Sequence, residues 1–476
     1  MIWLTTLAIV LAYLLSLALI RWVLLLKKQN PTSSVAWIMA IVGLPYLGGL
    51  LFLLFGVNRV QRRRAGLRRA LRSGDGETPL LGQYQVMPGE SLNSQQQSLM
   101  RLASRSVDKV PTYGNRIEVL ADTNRTLALL EEAIRSAAET VHLEYYIWQP
   151  DRTGTRMRDL LIEKARAGVK VRFLYDKVGS LWLSKRFLRP MVEAGIDVAA
   201  FIPGATLRER WSFNLRNHRK IVVVDGRVGF TGGMNIGDEY LGRDPSVGYW
   251  RDTHLRIEGP VVLQLQSEFA ESWRFATGES LTDPTLFPEP QAAGQVLAQL
   301  IPGEPTAELS ALYNLMFAAL NEARDRVLLT TSYFVPFGGL LTALETAALR
   351  GVKVRVLVAG PPTYFWTSWA GRSFYEELLS AGVELFEYRR GLMHAKTLTI
   401  DGCWSLVGTP NFDARSLALN FEVAVAMYDS RIAAQLEAQF ERDIEGARRI
   451  DLAEWSNRST WRVLGENACR LFAPML

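Results

Sequence analysis

One short pattern occurs twice in this chain, and the two copies demand a fold with an internal repeat. The first reads Asn217-His218-Arg219-Lys220, four residues, Asp225, then Gly232-Gly233-Met234-Asn235. The second reads His394-Ala395-Lys396, four residues, Asp401, then Gly408-Thr409-Pro410-Asn411. Both fit H-x-K-x4-D-x6-G-[GT]-x-N, and the chain has only 4 histidines, two of which hold the same place in this frame. The surroundings repeat as well. The run 139–150, with Leu-Glu-Tyr-Tyr-Ile-Trp at 143–148, lines up with 325–336. Ala-Gly-Val-Lys-Val-Arg-Phe-Leu at 167–174 lines up with Arg-Gly-Val-Lys-Val-Arg-Val-Leu at 350–357. Each half alternates helical stretches with β-branched strands, which predicts α/β architecture: two tandem αβα sandwich halves forming a pseudo-dimer, with both motifs at the junction.

The residue types within the motif point to phosphodiester chemistry. The runs 221–224 and 397–400 read as strands, and each ends in Asp-Gly, a strong hairpin signal between apolar segments. Two-residue periodicity puts His218 and Lys220 on one face, and likewise His394 and Lys396. A neutral imidazole attacks phosphorus well, and a protonated one can protonate a departing alkoxide. Lysine ammonium groups and the amides of Asn235 and Asn411 supply donors for phosphoryl oxygens. Two half-sites would thus provide one nucleophile and one general acid. A working histidine needs a carboxylate to fix its tautomer. Each copy offers one in a later strand-like run, Asp252 and Glu422, 34 and 28 residues beyond the respective histidines. Asp225 and Asp401 belong to the motif and so to the candidate catalytic set, but their place at turn tips predicts a mainly structural role. His142 and His254 read as structural, and Glu144, whose counterpart is Thr330, as non-catalytic.

Net charge is misleading here. The whole chain carries +6, yet residues 1–72 hold ten Lys and Arg and no acid, leaving about −4 on the other 404 residues. A slightly acidic body is a poor general nucleic-acid binder. Ile2 to Leu26 and Val35 to Val57 are apolar runs long enough to span a bilayer. Seven arginines between Arg59 and Arg72 follow the second run, which predicts a cytoplasmic body and a possible contact with anionic lipid. The expected organisation is 1–72 as two transmembrane helices with the arginine cluster, 73–110 as linker, 111–290 as the first half and 291–476 as the second. A loop near 203–216, with Arg208, Arg210, Trp211, Phe213 and Arg216, is longer than its counterpart and could hold a headgroup phosphate. Aromatics cluster between Tyr364 and Tyr375, where helix-core packing is the commoner explanation. Cys403 and Cys469 make no metal-ligand spacing and no disulfide framework.

The paired motif resembles the phospholipase D superfamily. With the apolar amino terminus and the stretches 143–148, 247–252, 413–422 and 466–476, the chain resembles its bacterial cardiolipin synthases over essentially its whole length. That resemblance implies a membrane phosphatidyltransferase in the bacterial cytoplasmic membrane that joins two phosphatidylglycerol molecules into cardiolipin and glycerol. It implies a phosphohistidine intermediate, with His218 as nucleophile and His394 as acid and base by analogy with the family, the symmetry of the motifs leaving the reverse assignment open, and neither metal nor cofactor. Phosphatidylglycerol and anionic membrane lipid are the expected partners, with no nucleic acid. A hydrolase of the phospholipase D type, a phosphatidyltransferase using another alcohol, and a membrane-tethered nuclease share the same motif chemistry. Gly233 departs from the family's frequent serine and is expected to leave the first half-site one donor short; Thr409 keeps a hydroxyl.

Overall fold

A computed structural model describes residues 2–25, 31–53, 78–86, 89, 92–202, 215–243, 248–305, 310–361 and 365–473. The arginine cluster at 59–72, the loop residues Arg208, Arg210, Trp211 and Phe213, and Tyr364 lie outside the described residues. The chain divides into two units, one comprising residues 1–70 with 204–213 and the other the remainder.

The first unit contains helices Ile2–Leu25, Pro31–Gly43 and Pro45–Leu51. Their apolar side chains close a small cluster around Leu19, Val23, Ile41 and Phe52. The run 35–57, expected as one span, is interrupted. Leu44 leaves helical geometry ahead of Pro45, because the proline ring disfavours the helical conformation of the residue before it. Among the described residues no helix is long and apolar enough to cross a membrane, so the two expected spans are not established by the structure.

The second unit is built on one continuous mixed sheet of 16 strands. From one edge the first-half strands run Asp197–Phe201, Lys170–Asp176, Thr140–Tyr145, Ile221–Val224, Val228–Gly232, His254–Glu258 and Thr112–Leu120. There the order turns about itself. Thr112–Leu120 pairs antiparallel with Val296–Gly303, and the second half follows as a mirror of the first: Asn420–Met427, Trp404–Gly408, Thr397–Ile400, Arg326–Thr331, Lys353–Ala359 and Glu384–Tyr388. The short strand Ala447–Arg449 adds an outer edge without a counterpart. Two halves sharing one sheet is what the sequence repeat requires.

Strand alternation sorts the core. Val222 and Val224 pack with Leu127, Leu130 and Leu161 of helices Thr123–Ser136 and Arg152–Arg166, while Ile221 and Val223 turn to Val262, Leu265 and Phe269 of helix Val261–Thr277. Both Asp-Gly pairs form the expected hairpins. Asp225 and Gly226 have φ of 51° and 62°, and Asp401 and Gly402 have 51° and 63°, the left-handed pair a tight right-twisted hairpin needs.

The segment 73–110, expected as linker, contains a helix. Asn93 caps a helix, Ser94–Ser106, through a reciprocal capping box with Gln96. Gln95 donates to Asp401 and to the Glu322 carbonyl, and Gln96 to the Cys403 carbonyl. Glutamines that looked like linker composition are buried donors docked on the second half.

Candidate active site

Each motif histidine follows a two-residue strand that leaves its own half. Arg216–Asn217 pairs in parallel with Asn420–Phe421 of the second half, and Leu392–Met393 pairs in parallel with Trp250–Arg251 of the first. The backbone then locks each histidine beside the opposite carboxylate strand: His218 N donates to Phe421 O at 2.9 Å, and His394 N to Arg251 O at 2.7 Å. The consequence is a crossed pair. His218 Nδ1 lies 2.9 Å from Glu422 Oε2, and His394 Nδ1 lies 2.7 Å from Asp252 Oδ2. The carboxylates thus serve the histidine of the other copy, not the one they follow in sequence.

The lysines curl back. Lys220 Nζ donates to His218 O at 2.7 Å, and Lys396 Nζ donates to His394 O. Residues 218–220 and 394–396 lie between strands, so the expected shared strand face is replaced by this turn-like return. All four side chains are buried. Burial, partly offset by Glu422, lowers the His218 pKa to about 4; burial together with Lys396 lowers His394 to about 4. Burial raises the carboxyls of Glu422 and Asp252, but the facing histidine, a nearby lysine and the hydrogen bonds from Thr409 and Thr253 N together hold both below their ordinary values. The resting state is therefore a neutral imidazole on an ionised carboxylate. An ionised carboxylate only accepts, so Nδ1 carries the proton and Nε2 keeps its lone pair. Burial also lowers Lys220 to about 7 and Lys396 to about 8, against the opposing pull of Glu422 and Asp252 respectively.

The glycine and threonine after the hairpins explain how the two carboxylates differ. Thr409 Oγ1 donates to Glu422 Oε2 at 2.5 Å. At the equivalent position a Cβ on Gly233 would stand 2.1 Å from Asp252 Oδ1. The shorter Asp252 occupies the space a side chain would need, and its Oδ1 accepts from the Thr253 backbone N at 2.7 Å. The expected donor deficit is thus filled by backbone, and it concerns the carboxylate that serves His394.

Other expected residues fall outside the reacting centre. Asp225 accepts from the backbone N of Ala138, Glu139 and Thr140, and Asp401 from Arg324, Asp325 and Arg326, all at 2.7–2.9 Å. Both tie a hairpin tip to the start of the neighbouring strand, the place at the turn from which a mainly structural role was expected. Asn235 is committed to the fold, accepting from Ile147 N at 3.1 Å and donating to Tyr240 Oη at 2.6 Å. Asn411 is buried, and its Oδ1 meets no hydrogen-bond partner among the described residues. His142 stacks on Phe269 and bonds Gln266 and Arg172, a structural role. Of the aromatic cluster, Phe374 and Tyr375 are core, whereas Phe365 and Trp366 are exposed. Among the described residues no group of three His, Cys, Asp or Glu side chains is arranged to hold a metal.

Four further residues border the two histidines, and the sequence reading assigns a role to none of them. Tyr146 sets its ring against His218 at 4.8 Å, and Trp250 and Tyr240 flank His394 at 5.4 and 5.7 Å. Glu144 Oε1 accepts from Asn217 Nδ2 at 2.5 Å, one residue before His218, and burial raises its pKa to about 7. The signal for Glu144 was present, a carboxylate inside an apolar strand, but its missing counterpart argued against it.

A shared sheet with two crossed histidine–carboxylate pairs defines a phospholipase D-like enzyme with one site made from two halves. The family model described as "Cardiolipin synthase, PLD-like domain" matches residues 130–273 and 316–444, and a phospholipase D-nuclease N-terminal model matches 14–56. The cardiolipin synthase of Halalkalibacterium halodurans is 36% identical over 460 residues, covering 95% of this chain and 91% of the relative. The major cardiolipin synthase ClsA of Bacillus subtilis is 35% identical over 476 residues, covering 98% of each. Among solved structures, the phosphatidylserine synthase of Haemophilus influenzae shares the fold with a TM-score of 0.61 at 14% identity, covering 80% of this chain and all of that one. The chain belongs to the PLD-like cardiolipin synthase family.

Proposed function

We propose that the chain makes cardiolipin by moving a phosphatidyl group from one phosphatidylglycerol to the headgroup hydroxyl of another. The observation that carries the mechanism is the crossed pairing, which supplies two imidazoles with fixed tautomers to one site. His218 Nε2 attacks phosphorus, the P–O bond to glycerol breaks, and His394 gives the departing oxygen a proton. His394 is neutral at rest, and the phosphodiester anion entering this buried site raises its proton affinity, so Nε2 takes up a proton from solvent before the transfer. The proton it later removes from the acceptor hydroxyl restores that balance. In the second step His394 takes the proton of the acceptor hydroxyl, the new P–O bond forms and the P–N bond breaks. Lys220 and Lys396 offset the phosphoryl charge.

The apolar amino-terminal unit supports a membrane setting. Leu11, Leu14, Leu17, Met39, Val42 and Leu47 all present exposed apolar side chains, a surface that suits lipid. On this reading the helices insert in the cytoplasmic membrane of a bacterium, and the arginines at 59–72 keep the catalytic unit on the cytoplasmic side.

Membranes containing the chain, incubated with labelled phosphatidylglycerol, should yield cardiolipin and glycerol. Phosphatidic acid as sole product would overturn the transfer reading. Cardiolipin formation persisting in His218→Ala or His394→Ala would overturn the mechanism.

A further inference from the structure

The segment that follows strand Lys170–Asp176 has an apolar tip on the surface and a base fastened to the catalytic histidine. Leu181 and Trp182 are 66% and 74% exposed, and Val178 beside them is exposed too. Lys177, Lys185 and Arg186 are exposed within a few residues of this tip, and the stretch 177–186 contains no acid; Arg189, farther along, pairs with Glu193 at 2.6 Å.

The base is held by one carboxylate. Asp176, fully buried, accepts from Val178 N at 2.9 Å and Gly179 N at 2.8 Å through Oδ1, and from Asn217 N at 2.8 Å through Oδ2. Asn217 immediately precedes His218. A second tie runs through Tyr146: Ser180 Oγ donates to its carbonyl at 3.0 Å, and a Cβ on Gly179 would lie 2.6 Å from its ring, the ring that faces His218. The second half lacks this device, since Ala359 stands where the repeat puts Asp176. The tie is therefore not something the fold needs twice.

We propose that residues 177–186 form a docking loop that seats on an anionic phospholipid bilayer and holds the His218 side of the site at headgroup level. The chemistry of the tip selects that occupant. Trp and Leu side chains favour the boundary between headgroups and chains, and Lys177, Lys185 and Arg186, with no acid in 177–186, complement anionic lipid. The inference rests on the reading that the substrate is a membrane phosphatidylglycerol, itself anionic. Anchoring the loop to Asn217 converts depth in the bilayer into a fixed position for the nucleophile.

The test uses the full chain with Cys403→Ser and Cys469→Ser, reconstituted in phosphatidylglycerol vesicles, with an environment-sensitive fluorophore on Trp182→Cys or on the control Leu349→Cys, a site 72% exposed elsewhere. The Trp182→Cys label should shift to the blue and be quenched by nitroxide lipid, and the control label should remain aqueous. An aqueous spectrum at Trp182→Cys, or equal shielding in lipid-free detergent as from a second copy, would overturn the proposal. Independently, Leu181→Glu with Trp182→Glu should raise KM for vesicle phosphatidylglycerol about tenfold or more. Turnover of a short-chain, monomeric phosphatidylglycerol should not change; equal loss on both substrates also refutes docking. Cardiolipin production by the unsubstituted chain in the same vesicles reports separately on the transfer reaction.

Discussion

Glu422 accepts the Nδ1 proton of His218 across 204 residues of sequence, and the pairing of His394 with Asp252 spans 142 in the opposite sense. Each half thus completes the other's histidine. A single half would leave its imidazole buried without the carboxylate that fixes its tautomer, and its own carboxylate buried without a partner. This mutual dependence gives a physical reason for keeping both motifs in one chain and one sheet.

The crossing predicts how losses combine. Glu422→Gln keeps the shape but no longer enforces the Nδ1–H tautomer of His218, so kcat should fall by about 10²–10⁴-fold with KM little changed, the range expected when a histidine loses its orienting carboxylate. Adding Glu422→Gln to His218→Ala should cost nothing further, because the carboxylate acts through that histidine. Steady-state kinetics of the single and double variants check this. If Glu422→Gln instead proved silent in His394→Ala, the crossed assignment would be wrong.

Gly233 and Thr409 hold equivalent positions and should respond in opposite ways. A Gly233→Ser side chain would drive its Cβ into Asp252 Oδ1, only 2.1 Å away, and push the carboxylate off His394. Activity should drop by about two orders of magnitude or more, as for other losses of preorganised geometry. Thr409→Ser retains the hydroxyl that donates to Glu422 and should be close to silent, whereas Thr409→Val removes it at a cost of about 1–3 kcal/mol in a charged hydrogen bond. Activity assays on the three purified variants separate these outcomes.

Asp225 and Asp401 should act on stability and not on chemistry. Each carboxylate accepts three backbone N–H bonds from the start of the adjacent strand, and each residue sits at φ 51°, a conformation asparagine tolerates and alanine does not. Asp401→Ala should lower the unfolding free energy by about 2–4 kcal/mol, since it loses charged hydrogen bonds and gains left-handed strain. Asp401→Asn should recover part of it. Thermal unfolding measures the loss, and kcat of the folded fraction should match the parent. A fall in kcat at equal folded fraction would place the aspartate in the catalytic set.

The sequence carried the repeat, the hairpins and all four members of the two crossed pairs. Strand periodicity and Asp-Gly turns are local signals, and Asp252 and Glu422 stood out as charges within apolar strands. What it could not carry was which carboxylate meets which histidine. That depends on the two-residue bridges at Arg216–Asn217 and Leu392–Met393, which cross between halves and have no periodicity to read. Gln95 and Gln96 are illegible for a related reason: polar residues in this stretch suit a linker, and only their burial against Asp401 and Cys403 shows them as donors. Asp176 also escaped notice, because its three amide partners include one 41 residues away.

The pH dependence follows from burial of both kinds of base. His218 must be neutral to attack, and its pKa is lowered to about 4, so the acid limb of kcat/KM should fall only as pH drops through about 4, well below an exposed imidazole. Lys220 and Lys396 must be charged to offset the phosphoryl oxygens. His394 must take up a proton to act as the acid, and its pKa is lowered to about 4, so kcat/KM should decline as pH rises above about 4. Burial brings the lysines to about 7 and about 8, so the decline should steepen as pH rises through 7 to 8, far below the ordinary lysine range. The sign is fixed by which form works: the nucleophile loses function on gaining a proton, and the acid and the lysines lose it on shedding one. The anionic substrate favours charged lysine, so kcat, which reports the bound state, should hold to higher pH than kcat/KM. A kcat/KM profile that does not steepen up to pH 10 would show that neither lysine's charge is needed, and Lys396→Met would then be expected to retain activity. With the charge needed, Lys396→Met should lose activity across the whole range and Lys220→Met likewise, measured as cardiolipin formed from labelled phosphatidylglycerol.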